Sequence, residues 1–222
     1  MCWRRVGIWR LLLTDPSLCE ADALSEDERC RAGRFSSFEL ARRYIAAHVG
    51  LRRLLADHLG MSPAEVPVAV GSHGKPRIDP ARMPLARVGF SLAHSQDIAL
   101  VAIAEDVDVG VDVEWLGTPM NTDALVLEAL TIRERAALPA HSSPGRSIAL
   151  HRHWVRKEAV LKAVGLGLSV PPSLIETGPI SASEGTSEIP FTFGSGRLSH
   201  WTDIPLPGQD AVAALATFPL QR

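Results

Sequence analysis

Twenty arginines and only three lysines supply the positive charge of this chain, and all three lysines sit in short motifs dense with functional groups. Lys75 lies in GKP, and Lys157 and Lys162 lie in WVRKEAVLKAVGLGL. A chain that otherwise uses arginine has either placed lysine there by chance or needs a compact ammonium point charge. About forty residues before the second motif comes GVDVE, with Asp112 and Glu114 two apart. Together these stretches read as a carboxylate and lysine site suited to a metal ion and a phosphate.

Strand alternation in GVDVE puts Val111 and Val113 on one face and Asp112 and Glu114 on the other. Two carboxylates side by side repel, so they either face water or share a cation. Hard oxygen ligands suit Mg2+ or Mn2+, and Mg2+ keeps several waters and completes its shell with phosphate oxygens. In WVRKEAVLKAVG, Trp154, Glu158 and Lys162 fall on neighbouring turns of one side. Glu158 and Lys162 are then either an i,i+4 surface ion pair worth a few tenths of a kcal/mol, or a third carboxylate beside a phosphate-holding lysine. His94, in FSLAHS between two strands, is either a satisfied structural histidine or a phosphate donor. The pair His151 and His153 points apart on a helix, which argues against a shared metal.

The elements that must position these groups follow from periodicity and punctuation. The N-terminus MCWRRVGIWRLLLTDPSLC reads as a first strand and not a signal peptide, because Arg10 interrupts the apolar run and Asp15 and Pro16 end it. Residues 24–60 read as one helix, with Ser25 as N-cap, Glu28 completing a capping box and Gly60 as the stop. A Gly-Lys-Pro turn follows, then valine- and isoleucine-rich strands broken at Glu105 to Asp108. Residues 123–138 and 147–164 read as helices, the second closed by Gly165, Gly167 and the prolines beyond. The last fifty residues alternate as strands with mobile loops, ISASEGTSE above all.

Two segments recur at nearly one offset. SQDIALVAIA (95–104) resembles GQDAVAALAT (208–217), and ARRYIAAHVGL (41–51) resembles VRKEAVLKAVGL (155–166). The expectation is an α/β (α+β) protein of two similar halves, 1–108 and 109–222, related by a pseudo-twofold axis with a cleft between them.

Composition bounds what such a site can serve. At 222 residues, 46% hydrophobic and with a formal charge of -2, the chain reads as an ordinary globular protein of one large or two small domains. A slightly acidic balance does not announce a nucleic-acid binder, and no stretch approaches the ~18 apolar residues of a membrane span. Cys2, Cys19 and Cys30 form neither a zinc motif nor an even disulfide set, which points to a reducing cytoplasm.

Taken in order, GKP, FSLAHS, GVDVE and WVRKEAVLKAVGLGL resemble the motifs of the Sfp-type 4'-phosphopantetheinyl transferases, over roughly residues 28–170. The resemblance implies two α/β halves with coenzyme A bound between them. It implies Asp112, Glu114 and Glu158 as Mg2+ ligands, with Mn2+ as an alternative, and Lys162 on the pyrophosphate. His94 would meet a coenzyme A phosphate, Lys75 and Pro76 would lie near the adenine nucleotide, and Arg31 and Arg43 would contact the 3'-phosphate unless they are simply a solvated helix face. Two departures stand out: Ala93 where relatives often have serine, and Glu28 where a basic residue would help the 3'-phosphate.

The activity implied is transfer of 4'-phosphopantetheine to a serine of an apo acyl or peptidyl carrier protein, with Glu158, directly or through a metal-bound water, taking the serine proton. Arginines near the cleft would steer the acidic carrier, and TPMNTDALVL, with Met120 and Leu125, is either a docking surface or helix packing. A monomer without nucleic-acid or membrane partners completes the expectation. A metal-dependent phosphodiesterase and an inactive carrier-binding homologue are the rival readings.

Overall fold

The computed structural model describes residues 6–71, 73–117, 122–193 and 196–220. Two antiparallel sheets stack face to face, and a long helix covers the outer face of each. The first sheet has strands β1 (Val6–Leu12), β4 (Val88–Ser95) and β5 (Ile98–Glu105) in the order β1-β5-β4; the second has β6 (Val107–Trp115), β7 (Glu184–Glu188), β8 (Leu198–Asp203) and β9 (Ala211–Pro219) in the order β6-β9-β8-β7. A small hairpin, β2 (Val68–Val70) with β3 (Pro76–Ile78), carries the GKP turn.

Period-two alternation sorts the strands' side chains between layers. Val101 and Ile103 of β5 pack with Leu51 and Leu55 of helix α2 (Phe38–Leu59), whereas Leu100, Ala102 and Ala104 meet Val109, Val111 and Val113 of β6. On the far side, Ala214, Ala216 and Phe218 of β9 pack under helix α5 (Gly145–Val164). The two sheets have the same plan: a leading strand pairs with the last strand of a later hairpin, which lies central. The recurrent segments fall at corresponding places, in β5 and β9 and in α2 and α5.

The sheets meet along β4 and β6, which run side by side in one direction. Ser91 Oγ accepts from Val111 N and Ser95 Oγ accepts from Trp115 N, both at 3.1 Å. Gly89 is needed at this seam, because a Cβ there would stand 2.3 Å from the carbonyl oxygen of Val107.

Several elements differ from the sequence expectation. The single helix over 24–60 is two, α1 (Glu26–Ala32) and α2, because Gly33 caps the first and the Ser37 side chain accepts from Leu40 N to start the second. The Ser25–Glu28 capping box and the left-handed Gly60 stop are as expected. The stretch 123–138 likewise splits into α3 (Thr122–Ala129) and α4 (Ile132–Ala137), where Thr131 and Glu134 form a second capping box. The break after β5 is one residue, Asp106 at φ 62°, so nearly all of Glu105 to Asp108 is strand. ISASEGTSE is not a loop throughout, since Glu184–Glu188 is β7, paired to β8. Gly185 makes this possible, because the ring of Trp201 lies where a side chain would project.

Candidate functional site

Helix α5 lies directly on β6 at Gly110, where a Cβ would meet Ala159 O at 2.1 Å and Ala163 N at 2.4 Å. This close approach lets side chains of one helix face reach the Gly110, Asp112, Glu114 face of the strand. Lys162 Nζ donates to Asp112 Oδ1 at 2.7 Å and to the Val111 carbonyl at 3.2 Å. Of the two readings left open for Glu158 and Lys162, the i,i+4 ion pair is not the contact formed: the ammonium is drawn to Asp112. The other oxygen of Asp112, Oδ2, is buried without a hydrogen-bond partner. Glu114 Oε2 accepts from Ser95 Oγ at 3.2 Å.

Electrostatics mark this corner as overloaded with negative charge. Burial, then repulsion from Asp112 and Glu114, pushes the Glu158 carboxyl up to about 7 against the opposing pull of Lys162. Burial and the Asp112 charge also raise Glu114. Burial acts to lower Lys162, but Asp112, Glu158 and Glu114 outweigh it and raise it, holding the ammonium charged. Burial raises Asp112 in spite of that ammonium. With the ammonium 2.7 Å away we read Asp112 as ionised, and Glu158 as the carboxylate most in want of a cation.

Hard carboxylate oxygens suit Mg2+ or Mn2+. Among the described residues no three His, Cys, Asp or Glu side chains stand grouped as a ready cage, and one oxygen of Asp112 is taken by Lys162. The orphaned Oδ2, with two further carboxylates close enough to feel it, nevertheless fits a divalent cation.

Basic and aromatic side chains gather on α1, α2 and the end of β4. His94, near the end of β4, is held low by burial and by the charges of Lys162 and Arg43, so its ring is neutral at pH 7. Tyr44 stacks on His48 with centroids 3.9 Å apart, and the Arg31 guanidinium lies 5.6 Å from the Tyr44 ring centroid. Arg43 Nε and Nη2 donate to the two oxygens of Asp97 at 3.0 and 3.3 Å. Glu28 is explained by the fold: besides capping α1 it pairs with the buried Arg52. Ala93 is buried in the layer between the sheets.

Lys75 lies at the other end of β6. Its ammonium donates to Asp108 Oδ1 and to the Ala163 carbonyl, both at 2.7 Å, and its stem lies against Gly165. A cavity of about 690 Å³ opens beside it, lined among others by His73, Arg77, Pro84, Leu85 and Arg87.

Lys157, which the sequence places among the functional lysines, is fully buried in a structural network. It pairs with Glu134 Oε2 at 2.7 Å and donates to the carbonyls of Pro172 and Ile175. His153 Nδ1 lies 3.1 Å from Thr177 Oγ1, and His151 Nδ1 lies 2.8 Å from the Ser147 carbonyl, so these histidines do part company. Met120 lies outside the described residues, and Leu125 is half-buried on α3. Sequence reasoning missed Ser91 and Ser95, although their spacing of four puts both on one strand face. It also missed Glu134, whose capping-box spacing from Thr131 was readable.

Residues 108–216 match the family described as the 4'-phosphopantetheinyl transferase superfamily, a span that holds Asp112, Glu114, Glu158 and Lys162. The chain is 34% identical over 167 residues to the 4'-phosphopantetheinyl transferase HetI of Nostoc sp., covering 74% of this chain and 70% of that protein. To the phosphopantetheinyl transferase of Thraustochytrium sp. it is 29% identical over 200 residues, 81% and 67% of the two chains. To the L-aminoadipate-semialdehyde dehydrogenase-phosphopantetheinyl transferase of Mus musculus it is 24% identical over 161 residues, 69% and 52%. With its mixed helix-and-sheet architecture and these relatives, the chain belongs to the 4'-phosphopantetheinyl transferase superfamily and is a transferase of the Sfp type.

Proposed function

We propose that the protein transfers the 4'-phosphopantetheine group of coenzyme A to a serine hydroxyl of an apo acyl or peptidyl carrier protein, releasing 3',5'-ADP. The observation that carries this reading is the Asp112–Glu114–Glu158 corner, with a buried partnerless oxygen and one lysine. Family membership supports it.

In the reaction the serine oxygen attacks the phosphorus that bears the pantetheine. One phosphorus–oxygen bond forms, the bond to the bridging oxygen breaks, and that oxygen leaves with 3',5'-ADP. Glu158 takes the serine proton. Lys162 would offset charge that develops on the leaving phosphate. Asp112, Glu114 and Glu158 would hold Mg2+ or Mn2+, which when bound supplies Lewis-acid neutralisation of the pyrophosphate. His94, Arg31 and Arg43 would line the phosphates of coenzyme A. Lys75, which lines the cavity of about 690 Å³, and its neighbour Pro76 would shape the nucleotide end, with Lys75 acting through its anchorage to Asp108.

The two halves, 1–108 and 109–222, would supply opposite walls of one cleft, as expected of a cytoplasmic monomer that meets its carrier protein in solution. No helix among the described residues is long and apolar enough to cross a membrane.

Intact mass spectrometry of apo carrier proteins after incubation with the protein, coenzyme A and Mg2+ tests this reading. A phosphopantetheine-sized gain, absent with chelator, is expected. Coenzyme A binding with no gain on any carrier points to an inactive carrier-binding homologue. Phosphodiester hydrolysis without a carrier points to a phosphodiesterase.

A further inference from the structure

One buried group at this corner has no part in the reading above. His151 is 1% exposed, and its Nε2 has no hydrogen-bond partner. Its Nδ1 lies 2.8 Å from the Ser147 carbonyl oxygen, a contact that requires the hydrogen on Nδ1. Nε2 is then a bare acceptor lone pair in the interior, which costs about 1–3 kcal/mol unless a donor meets it.

Helix and strand geometry place that lone pair. His151, Glu158 and Lys162 are spaced by seven and four, so they form one stripe along α5. The helix runs opposite to β6: Ala163 abuts Gly110, and Lys162 reaches Asp112. From Gly110 to Glu114 is four strand residues, about 13 Å. The same distance back along a helix from the Ala159–Ala163 contact is about nine residues, which arrives beside His151. Glu114 and His151 thus lie at one level, near enough to interact electrostatically.

We propose that His151 is a positioning residue of this site, its Nε2 accepting a hydrogen bond from the hydration shell of the divalent cation that Asp112, Glu114 and Glu158 would hold. The inference rests on the cation site proposed above. Mg2+ and Mn2+ keep part of their water in such sites, and a bare imidazole nitrogen at the Glu114 end gives that water an acceptor that carboxylates alone leave to chance. Groups in this outer position affect metal affinity by roughly 10–100-fold.

The test is Mn2+ binding, followed by the electron paramagnetic resonance of the free ion, on the full chain without coenzyme A. Wild type is compared with His151→Leu and His151→Gln, and the melting temperature of each is taken in chelator. His151→Leu is expected to bind Mn2+ about 10-fold more weakly or worse, and His151→Gln, whose amide oxygen is an acceptor of similar reach, to recover most of the loss. Should the leucine variant fail to fold, His151→Phe, closer in volume, carries the same expectation. Affinities within twofold of wild type in the folded apolar variant overturn the proposal and leave His151 a core histidine. If wild type itself binds no Mn2+, the cation site fails, and this inference falls with it by a distinguishable result.

Discussion

Helix α5 carries two acid and lysine clusters of nearly the same composition, and they differ in how completely they are satisfied. At the first, Lys157 and Glu134 are both buried at 2.7 Å, and Glu134 also accepts from Thr131 N at 2.9 Å, Thr177 N at 2.9 Å and Thr177 Oγ1 at 2.8 Å. At the second, Lys162 meets Asp112 at the same 2.7 Å, but Asp112 keeps an orphaned oxygen, and Glu158 is driven up to about 7 with Glu114 close by. In the first cluster Glu134 has a donor for each of its oxygens and Glu176 accepts from Thr131, whereas the second has three carboxylates and one lysine. A closed network stabilises and fixes a core, while an open one keeps capacity for a ligand. The same residue types build both places, and the function proposed above is assigned to the unbalanced one.

Amide substitutions at the two carboxylates separate these roles most sharply. Glu134→Gln removes the counter-charge of a fully buried lysine and turns an NH2 group toward donors, so it is expected to cost about 3–5 kcal/mol in urea unfolding. Asp112→Asn keeps an acceptor for Lys162 and removes a buried charge, so its stability should stay within about 1 kcal/mol of wild type. Its carrier-protein modification, by intact mass, should fall by about 10²-fold or more. Equal stability losses at the two sites would erase the distinction.

Both clusters make stability depend on pH, with opposite signs: Glu158, raised from 4.5 to about 7, makes the fold less stable as pH rises through that window, and His153 of the closed cluster works the other way. Burial holds His153 down to about 4, against the attraction of Glu134 on α4 and with help from Lys157, Arg156 and Arg152 on its own helix. Its unperturbed value is 6.5. Above that value both folded and unfolded chains carry a neutral ring, so nothing is lost. Between 6.5 and about 4 the unfolded chain binds a proton that the folded protein refuses, and stability falls by on the order of 3 kcal/mol. Burial acts to raise Glu134, but Lys157 and the backbone donors outweigh it and lower it, so its stabilisation is lost only as pH falls further through its folded value. Urea midpoints measured from pH 7 to 4 in a Glu158→Gln background, which removes the opposing change, should show this fall, and adding His153→Asn should flatten it; an unchanged slope would take the ring out of the account.

How much of this was legible in the sequence depends on the distance over which each feature is determined. Alternation on β6 and the Ser25, Glu28 and Gly60 caps are local, and the residues state them. The Thr131–Glu134 box obeys the same rule, yet a run of helix formers on both sides masks it. β7 is rich in turn-forming residues and becomes a strand only because β8 and the Trp201 ring receive it. The different fates of Lys157 and Lys162 could not be read from their shared motif. Five residues turn a helix by about 140°, and each ammonium then finds a carboxylate from a different part of the chain, Glu134 or Asp112. The resemblance pointed to Lys162; only packing showed what Lys157 does.

The smallest effect concerns Ala93, the position at which the motif departs from its relatives. A hydroxyl there would enter the layer that packs Ala93 with Leu100, Val111 and Leu215, where its strand neighbours Ser91 and Ser95 already serve the β6 amides of Val111 and Trp115. Ala93→Ser adds a polar group to this apolar layer, where the register of Ser91 and Ser95 sets it opposite Val113, and is expected to destabilise by at most about 1 kcal/mol. The KM for coenzyme A should stay within twofold, because the side chain faces the sheet interface while His94 lies on the opposite face of β4, toward His48 and Arg43 of α2. A clear drop in KM with unchanged stability would mean that position 93 reaches the nucleotide, and that the seam between β4 and β6 belongs to the open region with Asp112 and not to the closed core.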